Sequence, residues 1–387
     1  HNAEIYGWEV PGEKNELTSN GWNEGAWMTK YDNRFYLQYA APGTEYRTYA
    51  DGVYTSDSPL GPFVYETYSP FSYKPGGFAG GAGHGSTFQD KYGNYWHIAT
   101  MSISIRHMFE RRLGLFPAAF DKDGVLRVFT VFGDYPSIVP DRKVDFEKES
   151  TFKGWMLLSY RKNAEASSSL DGFPVGNAFD EDIRTWWSAV SGDSGEWLSV
   201  ELDEASTVQA VQVNFADNES KLKPGSEDIF YRYKIMASQD GRTWDVIADK
   251  SQNTADACHD YIQLEKPVQA KYVKIENVSV HDGLFSLYDL RIFGTREGNT
   301  PAEVSEFTVA RNEADPRRAL VEWPADDQAT GFIVNYGTAP EKLYTSVMVY
   351  DAGSLMLTGL NRDVTYYFSI DSFNESGITK GTAVVQK

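Results

Sequence analysis

Four small groups of residues in this chain have types and spacings suited to chemistry. Glu24 stands beside Gly25, between Trp22 and Trp27, in GWNEGAW. A lone acid at the start of an alternating run sits at a strand end or loop, where binding and catalytic groups are displayed. His84 lies in GAGHGS, and its flanking glycines let the backbone that carries it approach its neighbours closely. Arg111 and Arg112 occupy RHMFERRLGLFP (106–117), where strand register decides which guanidinium points inward. Asp180, Asp182 and Thr185 place hard oxygen donors close together in FDEDIRT, and Ca2+ takes six to eight such oxygens in irregular geometry. Each group also has a purely structural alternative. These are a surface glutamate, a satisfied core histidine, an ion pair from arginine to Glu110 or Asp90, and an Asx-bonded turn.

The elements that must position these groups are strands. From Trp22 to Phe63, aromatic and β-branched residues alternate with polar ones between Gly, Pro, Asn and Asp clusters, the pattern of short antiparallel strands. Long helical periodicity is nowhere evident, so the chain reads as all-β. Its 387 residues exceed one compact domain. Three textures divide it: a Gly- and aromatic-rich part (1–150), a part of alternating strands with Asp and Gly turns (151–297), and a smaller seven-stranded part (298–387). The charged run 141–150 suits a solvated connector, and GTREGNTPAEV (294–304) is the clearer linker.

Composition narrows the function classes. The net charge is −19, which argues against nucleic acid or an anionic membrane as partner. No apolar run approaches the roughly 18 residues of a membrane span. One cysteine, Cys258, excludes an intrachain disulfide and a Cys-built metal site. Ten Trp, 24 Tyr and 22 Phe exceed what cores usually need, and flat aromatic faces stack well on sugar rings. HNAEIYGWEV has no initiator Met and no signal-peptide pattern, so the chain is expected to be mature, trimmed or a fragment, of a secreted or periplasmic bacterial protein.

In the last part, ALVEWPAD (319–326), GFIVNYG (331–337) and VTYYFSIDSF (364–373) read as strands. Leu360, six residues before Tyr366, fits a tyrosine corner. This part resembles a fibronectin type III domain, a β-sandwich that usually serves as a spacer. In the middle part, NAFDEDIRTWWSA, GEWLSVEL, TVQAVQVNF, YRYKIMASQDGRTWDVI, KYVKIEN and LYDLRIFG follow in the order of a discoidin (coagulation factor 5/8 type C) domain. That group includes the family 32 carbohydrate-binding modules and folds as a jelly-roll β-sandwich. The resemblance implies a structural calcium, with Asp289 completing the cage begun by Asp180, Asp182 and Thr185. Trp187, Trp244, His281 and Phe285 are candidate sugar contacts.

The first part resembles glycoside hydrolase family 43, a five-bladed β-propeller. Three motifs carry the resemblance: Glu24-Gly25-Ala26-Trp27, the blade turn SDSPLGPF (56–63), and GHGS around His84. Together they correspond to the C-terminal half of such a propeller. The resemblance implies inverting exo-hydrolysis of a terminal glycosidic bond in a plant cell-wall polysaccharide or oligosaccharide. Glu24 would be the general acid, protonating the leaving oxygen. A carboxylate about 6.5–9.5 Å away would deprotonate the attacking water. His84 would face the propeller axis and an ion or water there. Arg111, with Arg112 as the alternative, would bind sugar hydroxyls, and Trp22, Tyr49 and Phe78 would wall the pocket. α-L-Arabinofuranosidase and β-xylosidase are the leading activities, then exo-β-1,3-galactosidase. The competing reading is a non-catalytic carbohydrate-binding protein.

One departure stands out. The family's general base and pKa-modulating acid are aspartates of the first two blades, yet only 23 residues precede Glu24. Asp32 and Asp51 do not sit in the corresponding motifs. The missing half of the propeller is therefore expected on the parent polypeptide or on another chain.

Overall fold

A computed structural model describes residues 6–19, 21–103, 110–222 and 229–387. The alternation read from the sequence becomes a five-stranded and a four-stranded antiparallel sheet in the first part. One runs β1 (Glu24–Tyr31), β2 (Arg34–Ala41), β3 (Ala50–Ser56) and β4 (Val64–Tyr65), with β5 (Ser72–Tyr73) pairing to β3. The other runs β6 (Gly80–Gln89), β7 (Tyr95–Ser102), β8 (Arg111–Phe120) and β9 (Leu126–Val128). These are meanders in the form of propeller blades. SDSPLGPF is the turn from β3 towards β4, as the motif implied.

A buried polar chain ties the two sheets together. Thr29 on β1 donates to the Thr87 carbonyl on β6, and Gln38 Nε2 donates to Thr29. Thr87 Oγ1 donates to Gln38 Oε1 and lies 2.9 Å from His97 Nδ1. His97 Nε2 in turn lies 2.9 Å from Asp51 Oδ2 on β3. Buried polar groups must find such partners, so the chain of contacts fixes how β1–β3 meet β6 and β7.

The middle part is a compact unit of its own (Gly154–Asn299 with Glu375–Gly377). Its strands are β10 (Met156–Leu157), β11 (Ala164–Ala166), β12 (Trp187–Ser188), β13 (Trp197–Phe215), β14 (Tyr231–Ser238), β15 (Asp245–Asp249), β16 (His259–Val280) and β17 (Ser286–Thr295). The order is β10-β17-β13-β16-β14-β15, with β11 against β13 and β12 against β17. β13 and β16 are long and break register between Glu201 and Ser206 and between Val208 and Ala210, which lets one sheet fold over on itself. Trp187, Phe215, Tyr233, Ile275 and Phe285 fill the space between its faces.

The last part forms two sheets. β18 (Thr308–Arg311), β19 (Ala319–Glu322) and β22 (Ser354–Leu357) make one. β20 (Gly331–Gly337), β21 (Thr345–Tyr350), β23 (Tyr367–Asn374), β24 (Gly377–Thr379) and β25 (Val385–Gln386) make the other. Tyr366 is buried and its hydroxyl accepts from the Asn361 backbone N–H, the contact that the Leu360–Tyr366 spacing suggested.

This sandwich is not held apart as a spacer would be. It belongs to the same compact unit as residues 1–153. Trp8, Ala41, Ala50 and Tyr73 share one hydrophobic cluster with Val321, Phe332, Tyr336, Leu360 and Phe368. Asn361 also donates to the Thr67 and Ser69 carbonyls. The indole of Trp8 reaches across the blade because Gly52 leaves it room; a Cβ there would lie 2.4 Å from Trp8 Cζ2.

Candidate active site

Glu24 begins β1 at a register irregularity between Glu24 and Trp27, where the strand re-aims its side chains. Gly25 follows in the left-handed region (φ 63°), and a Cβ on it would lie 2.7 Å from His84 Cδ2. Only glycine lets β1 and β6 approach this closely. His84 itself has φ 54°, a conformation that bulky residues rarely adopt and that recurs at functional sites.

The result is a three-group cluster. The Tyr49 hydroxyl donates to Glu24 Oε1 at 2.7 Å, and His84 Nδ1 lies 3.3 Å from that hydroxyl and 3.6 Å from Glu24 Oε1. Burial first, then the bond to Glu24 and its charge, raise the Tyr49 phenol, which therefore stays a neutral donor. Glu24 and His84 remain accessible, with side chains 45% and 47% exposed. Glu24 opens onto a cleft of about 430 Å³ lined by Asn23, Gly25, Ala26, Leu37, Tyr39 and Tyr54. Beneath it, the fully buried Glu9 accepts from the Tyr39 hydroxyl. Glu9 escaped the sequence reading, since nothing in YGWEV marks a buried acid. Asp51, also buried, accepts from the Gly85 N–H and faces His97 rather than the cleft. Asp32 sits in the β1–β2 turn with φ 43°.

The other expected pocket residues divide. Register pairs Arg111 with Ser102 and Arg112 with Met101. Arg111 Nη1 donates to Thr44 Oγ1, Ser102 donates to the Thr44 carbonyl, and the charge of Arg111 is felt at Tyr49. Arg112 is exposed and donates to the Arg111 carbonyl. Arg111 is thus the arginine on the Tyr49 side. Residues 104–109, including Arg106, lie outside the described residues. The Asp90 carboxylate does not await an arginine. Burial pushes it up, but bonds from Trp96, Asn94 and Tyr92 hold it at about 2.

Two aromatic expectations need correction. Phe78 is 2% exposed, because it belongs to the packed interior and presents no face to a sugar. The Tyr49 ring is also buried, and only its hydroxyl reaches the site; it positions Glu24 and walls nothing. Trp22 is 71% exposed, and its backbone N–H is bonded to the Pro42 carbonyl.

In the middle unit, Asp180 Oδ1 accepts from the Asp182 N–H and Oδ2 from Thr185 Oγ1. Asp182 is turned to Arg184, whose guanidinium grips both of its oxygens. Asp289 is buried and accepts from the Glu181 N–H. Burial, then the charge of Glu181, pushes its carboxyl well above the usual range, and burial raises Asp180 too. Glu181 is clamped by Arg291 at 2.7 and 2.9 Å. Among the described residues no three acid, His or Cys side chains converge as a metal cage would require. The expected calcium ligands form an Asx turn beside the Glu181–Arg291 ion pair. Of the sugar-contact candidates, Trp187 and Phe285 are fully buried and pack edge to face in the core. Trp244 is half-buried beneath Lys274, and His281 Nδ1 lies 3.1 Å from the Phe230 carbonyl.

Comparison with known proteins agrees with this division. Residues 6–126 match the family described as glycosyl hydrolases family 43, and residues 163–289 match the F5/8 type C domain. No curated protein matches the chain. Among solved structures, a glycoside hydrolase aligns over 72% of this chain at 20% identity (TM-score 0.38), and the chain spans 61% of its length. A chitosan-binding module of a Paenibacillus chitosanase/glucanase aligns over 36% of this chain and 99% of its own at 26% identity (TM-score 0.30). The family 32 carbohydrate-binding module of NanJ from C. perfringens, solved with galactose, aligns over 36% and 98% at 20% identity (TM-score 0.30). The chain thus carries a stretch similar to glycosyl hydrolases family 43, followed by a stretch similar to the F5/8 type C domain.

Proposed function

We propose that this chain carries the acid-bearing part of an inverting exo-glycosidase that removes terminal pentosides, α-L-arabinofuranosyl or β-xylosyl, from plant polysaccharides. The observation that carries this reading is the Glu24–Tyr49–His84 cluster, at the mouth of a cleft, within the family 43 region. Tyr49 occupies Oε1, so Oε2 is the oxygen free to hold and deliver the proton. In the reaction the glycosidic C–O bond breaks, and the leaving oxygen takes that proton. A water adds to the anomeric carbon from the opposite face and gives its proton to a carboxylate. That carboxylate is proposed to come from propeller blades on the parent polypeptide or another chain. Arg111 would bind sugar hydroxyls, and exo-β-1,3-galactosidase action is the alternative within the family.

The test compares the full gene product with its Glu24→Gln variant on nitrophenyl arabinofuranoside, xyloside and galactoside. Turnover that Glu24→Gln abolishes supports the reading; turnover that survives it refutes Glu24 as the acid. A second reading, non-catalytic carbohydrate binding, is favoured by one observation. Among the described residues lining the cleft, Glu24 is the sole carboxylate. No turnover on any of the three substrates would support it.

The F5/8 type C unit is proposed to hold carbohydrate, with the half-buried Trp244 as its candidate contact, the His281 side chain being buried, in a protein secreted or exported to the periplasm. A structural Ca2+ at Asp180 and Asp289 is supported by their two raised carboxyls and opposed by the commitment of Asp182 to Arg184. Thermal unfolding in millimolar CaCl2 against EGTA decides. A midpoint that rises with Ca2+ and loses the rise in Asp289→Asn supports the ion; no rise removes it.

A further inference from the structure

A second cleft, of about 200 Å³, shares no lining residue with the cleft at Glu24. Its walls come from β8, β9 and the loop after them, from β20 and β21 of the last sandwich, and from Asp371 and Lys380. Both walls belong to one compact unit.

The distinctive group here is Arg127. Its guanidinium carbon lies 4.3 Å from the ring of Phe129 and 4.3 Å from the ring of Tyr344. Tyr344 is itself anchored, its hydroxyl donating to Asp121 Oδ2 at 3.0 Å. Arg127 Nε is buried and has no hydrogen-bond partner. Among the described residues, no ion pair neutralises this guanidinium either. Burial lowers its pKa, against the raising effect of Tyr344, Glu147 and Asp121, yet an arginine remains charged in a protein. A guanidinium whose buried Nε–H has no partner is costly unless something fills that donor.

Neighbouring groups show what that something is. Beside the cleft Lys342 is spent on Asp121 and Asp123, and in its lining Lys380 on Asp371, so among the described residues Arg127 is the lining cation with no carboxylate in ion-pair contact. A single guanidinium without an ion-pair contact, already under the field of Asp121 and Glu147, suits a monoanion better than a phosphate dianion. A planar guanidinium fork also fits a planar carboxylate through two parallel bonds. Around it, Ser346 donates to Asn335 Oδ1, which leaves the Asn335 amide N–H groups as further donors at the wall. Phe132 and Phe152, stacked 4.1 Å apart, supply an apolar face nearby. Apolar faces with a few polar groups are what a sugar ring requires.

We propose that this cleft binds a monocarboxylate borne on a hydroxylated ring, a sugar acid of the uronate kind, with Arg127 receiving the carboxylate. The site is separate from the Glu24 cluster and does not depend on its chemistry.

Isothermal titration of the full chain, at one fixed ionic strength, tests it with D-glucuronate, D-glucose and inorganic phosphate. Glucuronate is expected to bind saturably, and glucose and phosphate at least about tenfold more weakly. Arg127→Met is expected to reduce glucuronate binding to the level of glucose. Arg127→Lys keeps the charge but loses the fork, and is expected to lose about tenfold. Wild-type glucuronate affinity in Arg127→Met overturns the proposal. So does equal binding of glucose or phosphate, or the absence of glucuronate binding. Should Arg127→Met fail to fold, Arg127→Lys and Asn335→Ala carry the test, and unchanged affinity in both overturns it.

Discussion

Glu24 in the first unit and Glu181 in the middle one are both acids next to a left-handed backbone position, Gly25 (φ 63°) and Glu181 itself (φ 59°). Their partners separate them. Glu24 is held by the neutral hydroxyl of Tyr49, with one oxygen left facing a cleft. Glu181 is 2% exposed, and both of its oxygens are gripped by the Arg291 guanidinium. An acid gripped at both oxygens by a cation in the interior has no oxygen left to offer a substrate. An acid held at one oxygen by a phenol still has one. The type of partner, more than the presence of an acid at a strained turn, decides which carboxylate is available for chemistry.

The contrast breaks most visibly at the two acids themselves. Glu24→Gln is expected to lower kcat by about 10²–10⁴-fold in the full gene product, as removal of a general acid does. Its thermal midpoint should stay unchanged, because the amide can still accept from Tyr49. Glu181→Ala should do the opposite. It leaves Arg291 buried and uncompensated, which costs about 3–5 kcal/mol of stability by urea unfolding. A loss of turnover in Glu181→Ala without a loss of stability would make Glu181 a participant in the chemistry.

Tyr49→Phe sharpens the comparison on the catalytic side. Losing one hydrogen bond to a carboxyl group is expected to reduce kcat by about tenfold and leave KM near its original value, since the buried Tyr49 meets the site through its hydroxyl bond to Glu24. A change confined to KM would make Tyr49 a substrate contact instead.

The smallest effect belongs to Asp289. Its carboxyl is held well above the usual range by burial and by Glu181, with Arg291 offsetting part of the rise. The folded state therefore keeps this proton after the unfolded chain has lost it. Stability falls as pH climbs from about 4 through the folded value, and the full cost is present above it. Asp289→Asn should flatten that fall in urea midpoints measured across the acid and neutral range.

Much of this architecture was legible because its signals are local. The β1–β3 strands, the SDSPLGPF turn and the Leu360–Tyr366 spacing each lie within a few residues of one another, and each formed as read. The Glu24 neighbourhood was legible as motifs, but not its geometry. Tyr49 was read as a wall, since sequence shows an aromatic ring and not which end of it is buried. Choosing Arg111 over Arg112 required the pairing with Ser102. The Glu181–Arg291 clamp joins residues 110 apart in the chain, and the stacking of Arg127 on Tyr344 crosses from the blade to the last sandwich. Pairings of that range leave no periodic trace, and a charged residue destined for burial looks like any other.

The core shared by Trp8, Tyr73, Phe332 and Phe368 has a practical consequence for anyone cutting this protein into modules. Trimming the chain after residue 299 would strip the first blade of its apolar floor, although the Gly- and Pro-containing run 294–304 reads as a clean boundary. The safer excision is internal. Met156 pairs with Gly294, so the middle unit's entry and exit strands run side by side, as in a domain inserted into a host. Replacing 154–299 with a short glycine linker should leave the two flanking pieces able to fold as one body.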